Sequence, residues 1–210
     1  MALLLVVAPP PAEAGAVQVG GPASDVEGAA SNLLKRAEEI EAELARRPDS
    51  EALLAQLTRT RINAANTLIS DGAGESTRGV AEVKQQLALG RVAWSEYMKV
   101  ARKPGFALAT LVAPALFELA ELSSNSQEAL KNVRAAVRAQ KFVTEGRPGK
   151  NSWSTLAFYE LFAQDYKAAD ESIEKAIVYT KTKYEREAIE KQFTEVEKAA
   201  KQFGRELKPR

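Results

Sequence analysis

Few residues in this 210-residue chain could do chemistry, and their types narrow the choice. Histidine and cysteine are both absent. That removes the commonest general base, the usual nucleophilic triads, His- and Cys-ligated metal sites and disulfides. Catalysis would have to use carboxylates, Lys, Tyr or Ser. Glu160 with Asp165 is a candidate carboxylate pair, but nothing nearby in the sequence would hold a substrate or shift a pKa, and Asp165 is better explained as a turn and helix-start residue. The phosphate-loop reading fails twice. No Gly-Lys-Ser/Thr follows the glycines of 71–78, and Gly149-Lys150 is followed by Asn151, with Thr144 where the first loop glycine belongs. Aromatic and basic residues interleave between Arg91 and Arg102, but Trp94 and Tyr97 fall on the apolar face instead of forming a base-stacking stripe. No catalytic, cofactor-binding or metal-ligating residue is assigned. The expectation is a non-catalytic protein without a cofactor.

Composition sets the frame for those residues. With 45% apolar and 27% charged residues the chain can bury a substantial core. Its 29 basic and 28 acidic side chains leave a net charge of +1, which gives no global electrostatic footprint for nucleic acid or an anionic membrane. Residues 1–30 open with the apolar run Ala2 to Ala8, then three prolines and a Gly/Ala-rich stretch. The run is too short to span a bilayer, and no Lys or Arg precedes Lys35 to serve as the basic region of a secretory signal. Two readings follow: the tail of a signal or anchor that begins upstream, making the protein secreted or membrane-anchored, or a flexible terminus on a cytoplasmic one.

From residue 31 onward the pattern is helical throughout. Leu33, Ala37, Ile40 and Leu44 mark an amphipathic helix over 31–46, which Pro48 ends, and a second helix covers 50–70. The third, 79–102, carries Gly90 on its apolar face, a sign of close helix contact. Residues 106–122 are apolar almost all round, with Pro114 inside predicting a kink between 110 and 114. Asn125 and Glu128 have capping-box spacing for a helix to about 145, packed through Ala129, Val133 and Ala136. Thr182 and Glu185 open a last helix to about 207, with Ile189, Phe193, Val196, Ala200, Phe203 and Leu207 in a narrow stripe. No strand is predicted.

The stretch 151–177 carries a signature. It runs Trp153-x2-Leu156-Ala157, a Gln164-Asp165-Tyr166 turn, then Ala169-x3-Ile173-x2-Ala176. This closely resembles a tetratricopeptide repeat (TPR). Leu54, Leu57 and Thr58 repeat the spacing of Trp153, Leu156 and Ala157, so 50–104 resembles one long, irregular repeat. The resemblance implies an all-α, TPR-like α-solenoid over 31–210, made of about eight helices in antiparallel pairs and closed by a C-terminal capping helix. A homodimeric coiled coil on the last helix is the competing reading, so the chain is expected to be a monomer or a homodimer.

In such proteins the first helix of each repeat lines a concave groove. The resemblance therefore implies a protein or peptide partner held by Ser154, Phe158, Leu161 and Phe162 on one helix, and by Ala55, Arg59, Ile62 and Asn63 on another. The partner-binding residues singled out are Arg59, Asn63, Phe158, Leu161 and Phe162. Against this stands burial of the three apolar side chains in the core, and a merely solvated face for Arg59 and Asn63. The function so implied is an adaptor or scaffold. A carboxylate-based helical enzyme and an RNA-binding helical repeat are the alternatives.

Overall fold

Helix starts are fixed by side chains that satisfy the first backbone donors. Ser50, Ser76, Asn125 and Asp165 each accept a hydrogen bond from the N–H three residues on: Leu53 at 3.5 Å, Gly79 at 3.0 Å, Glu128 at 2.8 Å and Ala168 at 3.3 Å. Thr182 and Glu185 cap reciprocally. The Glu185 N–H donates to Thr182 Oγ1 at 3.1 Å and the Thr182 N–H to Glu185 Oε2 at 3.3 Å, while the Lys181 N–H reaches the same carboxylate oxygen at 2.7 Å. These donors hold the Glu185 carboxyl below the usual carboxylate range.

The computed structural model describes residues 24–73 and 76–206. It is all-α. Its eight helices are α1 (Ser24–Leu44), α2 (Glu51–Ser70), α3 (Thr77–Val100), α4 (Phe106–Glu121), α5 (Ser126–Gly146), α6 (Lys150–Phe162), α7 (Tyr166–Val178) and α8 (Lys183–Glu206), with no strand among the described residues. No helix there is long and apolar enough to cross a membrane. The expectations for residues 1–23 and for Leu207 fall outside the described residues. Helix α1 starts at Ser24, earlier than the expected 31. Gly28 hides the start in the sequence, while Ala29 and Ala30 carry the helix through it.

The chain divides into two compact units, α1–α4 and α5–α8. In the first, α2 packs on α1, α3 and α4. Gly90 allows the close approach of α3, since a Cβ there would stand 3.0 Å from Ile62 Cγ1, whose side chain is itself buried. Ala37 and Ile40 of α1 pack with Leu57 and Ala93. Arg61 bridges three helices from a buried position. It donates through Nη1 to Gln86 Oε1 at 2.8 Å and through Nη2 to Glu41 Oε1 at 2.7 Å. Trp94 and Tyr97 are buried and stacked, with centroids 5.4 Å apart, as their place on the apolar face predicted. Helix α4 is continuous through Pro114, which sits on its exposed side.

In the second unit α6 is central, with α5, α7 and α8 all packed against it. Gln164, between α6 and α7, has φ 65°, a left-handed conformation that a side chain seldom adopts. Its amide is held on both sides: Nε2 donates to Ala200 O at 3.1 Å and the Tyr166 hydroxyl donates to Oε1 at 2.7 Å. Gly204 of α8 lies against it, and a Cβ there would collide with Oε1. The turn is thereby pinned to the last helix.

Two glycine substitutions should separate packing from propensity. Gly90→Leu should destabilise the first unit by about 1–3 kcal/mol through overpacking against Ile62. Gly28→Ala, where nothing lies within 4 Å, should stabilise by about 0.5–1 kcal/mol. Denaturant midpoints of the two variants measure both, and opposite signs are the expected result.

Candidate functional site

The residues expected to line a groove do not share one environment. Arg59 is exposed and Asn63 half-buried, one turn apart on α2. Ile62 beside them is buried under Gly90. Phe158, Leu161 and Phe162 are 4%, 2% and 2% exposed and Ser154 is buried too, so the apolar anchor expected on α6 offers no surface to a partner. The reason is that the second half of α6 is covered on all sides: every residue from Leu156 to Phe162, and Ala163 after it, is buried, all but Glu160 largely apolar. Phe158 and Phe162 pack at a tilt, 5.0 Å between centroids, and Phe162 meets Phe203 of α8 at 5.7 Å. The stripe of α8 is used in the same way. Ile189, Phe193, Val196 and Ala200 are buried within the chain. Trp153 is only half-buried, with Lys175 Nζ 4.5 Å from its ring centroid.

The two carboxylates first singled out play different parts. Asp165 caps α7 at the surface. Glu160 is 2% exposed within α6; its Oε2 accepts from Ser172 Oγ at 2.7 Å, and its Oε1 lies 4.0 Å from Lys141 Nζ. Burial pushes the Glu160 carboxyl above its usual range, against the opposing pull of the Ser172 hydrogen bond and of Lys141. This is a carboxyl locked between helices, joined to a hydroxyl and a distant ammonium. Among the described residues, no group of three or more acidic side chains is placed to hold a metal ion.

The outer face of α5 has a different character. Lys131, Arg134, Arg138 and Lys141 follow one another at spacings of three, four and three, which puts all four on one side of the helix, and all four are exposed. Lys131, Arg134 and Arg138 make no ion pair among the described residues, and Lys141 has only Glu160 at 4.0 Å. With Gln127 and Leu130, those three cations line a concavity of about 250 Å³. Several cations on other helices are neutralised locally. Arg36 pairs with Glu39 on α1, Lys99 with Glu96 on α3, and Arg186 with Glu190, Lys198 with Glu195 and Lys201 with Glu197 on α8. Like charges at these spacings cost a helix about 0.2–0.5 kcal/mol per pair. The α5 face carries three such neighbouring pairs.

This face was missed at the level of sequence, where attention went to the opposite, packing side of the same helix: Ala129, Val133 and Ala136, all buried. The signal was present as the three-four-three spacing of cations. Comparison with protein-family models, with curated proteins and with solved structures gives no match.

Two measurements follow from these environments. Trp153→Ala should cost about 2 kcal/mol, less than the ~3–5 kcal/mol of a fully buried tryptophan, because part of the ring already faces water. Chemical denaturation reads the difference. For Glu160, a folded-state pKa raised above the unfolded value means that the unfolded chain loses its proton first. Stability is then lost as pH rises from about 4 through the raised value. Glu160→Gln keeps the acceptor for Ser172 and removes the charge. The melting temperature of the variant relative to wild type should therefore climb between pH 4 and pH 7; a flat difference would contradict a buried, hard-to-ionise carboxyl.

Proposed function

We propose that the chain is a TPR-like helical-repeat adaptor: antiparallel helix pairs stacked as an α-solenoid, closed by α8 as a C-terminal cap, holding a protein or peptide partner without catalysis. The observation that carries this reading is the α6–α7 pair. Ala157, Ala169 and Ala176 stand where the repeat pattern requires small residues, and all three have no exposed surface. Such positions let two helices approach closely, and a repeat built this way buries its faces only by stacking on neighbours. The partner contacts are assigned to outward faces, because α6 is buried on every side from Leu156 onward.

Selection from a random-peptide display library against the immobilised full chain tests the reading. It should converge on a shared motif, and the synthetic peptide should bind saturably in calorimetry with a Kd of about 100 µM or tighter, roughly −5.5 kcal/mol. No convergence and no saturable binding from libraries of both extended and helical peptides would contradict it.

A further inference from the structure

We infer that the outer face of α5 is a docking surface for an acidic protein segment whose carboxylates recur at helical spacing; this rests on the adaptor reading above and names the surface and the chemistry of the partner. Charge complementarity is the argument. From Lys131 to Lys141 the face runs about 15 Å, at 1.5 Å per residue, and presents four exposed cations. Adjacent cations lie three or four residues apart, which puts their Cβ atoms about 5–6 Å from one another. Carboxylates at i, i+3, i+7 and i+10 of an acidic helix have the same spacing, so the two rows can pair one to one.

What distinguishes this face is a consecutive row. Arg36 on α1, Lys99 on α3 and Arg186, Lys198 and Lys201 on α8 have carboxylate partners on their own helix three or four residues away, whereas Lys131, Arg134 and Arg138, neighbours on one side of α5, have no ion pair among the described residues. Glu128, the acid nearest them on α5, lies about 60° round the helix from Lys131, three residues on, and about 120° from Arg134. Half-buried Leu130 and exposed Gln127 border the cations and share their concavity, so an incoming segment meets apolar surface and an amide as well as charge. Two arginines add planar forks that can engage a carboxylate through two parallel hydrogen bonds.

An acidic protein segment fits better than a nucleic acid. The chain has a net charge of only +1, so its field does not gather a long polyanion. No aromatic residue stands among these cations to stack a base. The same unit also exposes Asp170, Glu171 and Glu174 on α7. A short acidic helix is served by one row of cations, whereas a longer phosphate backbone needs more.

The test uses the full chain and a fluorescein-labelled, alanine-based 16-residue helical peptide with glutamates at i, i+3, i+7 and i+10. Wild type should bind it saturably by anisotropy, more weakly as salt rises from 50 to 300 mM. The variant Lys131→Glu/Arg134→Glu/Arg138→Glu should bind about tenfold or more weakly, with an unchanged helical circular dichroism spectrum, since all three side chains are exposed. Arg134→Lys/Arg138→Lys, which keeps the charge and loses the forks, should bind more tightly than the triple variant and more weakly than wild type.

Equal binding by wild type and the triple variant overturns the inference. So does tighter binding of a 12-nucleotide single-stranded RNA or of vesicles containing 30% phosphatidylserine than of the peptide. Self-association of the wild type in light scattering that the triple variant abolishes would assign the face to a second copy and overturns it as well. A peptide from the display selection that binds wild type and triple variant alike removes the α5 surface and leaves the adaptor reading standing. Failure of every peptide removes both.

Discussion

Helix α6 must be surrounded, and the rest of the C-terminal unit follows from that. Eight consecutive residues, Leu156 to Ala163, are buried, so an ordinary amphipathic arrangement with one wet side is ruled out for this segment. Hydrophobic burial of this kind is non-directional and needs only area, at about 25 cal/mol per Å². The directional requirements are met at its ends and at one interior point. Ser172 meets the one carboxyl in the run, Gln164 turns the chain in a left-handed conformation, and the Ala200 carbonyl and Tyr166 hydroxyl keep that turn in place. Gly204 is where it is because Gln164 occupies the space a side chain would take.

The same constraint moves the functional surface. A repeat resemblance directs attention to the first helix of a pair, here α6, and to Phe158, Leu161 and Phe162 beside the signature positions. In this chain those rings fill the core, and Phe162 contacts α8. Surface chemistry then passes to the neighbours of α6. Of these, α8 carries paired charges at three-four spacing, while α5 carries a row of cations of which Lys131, Arg134 and Arg138 make no ion pair among the described residues and Lys141 lies 4.0 Å from Glu160. An unrelieved row of like charge opposes helix formation slightly. Docking of the acidic segment inferred above would relieve it.

Much of the architecture was legible in the sequence. The caps at Asn125, Asp165 and Thr182/Glu185 were readable because short polar side chains before apolar periodicity have few other uses, and Gly90 was readable because a glycine on an apolar stripe leaves room for a neighbour. The core placement of Trp94 and Tyr97 followed from spacing alone. The start of α1 was obscured by glycine and alanine, which carry no periodic signal. The burial of α6 was present as the run Phe158-Tyr159-Glu160-Leu161-Phe162, but apolar residues on all sides do not say which neighbour covers which side. The α5 face was equally visible as cation spacing. What the sequence withheld was whether those charges find partners, which depends on elements brought together in space.

The central claim is that the α6 face expected to be an open groove is core, and that α5 is open. The absence of cysteine allows a direct measurement: single thiols introduced by Ser154→Cys on α6 and Lys131→Cys on α5, with labelling rates followed by a chromogenic disulfide reagent. The Lys131→Cys thiol should react at nearly the rate of a free peptide. The Ser154→Cys thiol should be protected by about a hundredfold or more until denaturant unfolds the chain, because reaction there requires opening of a packed unit. Equal rates in the folded chain would show α6 to be open and would contradict the account.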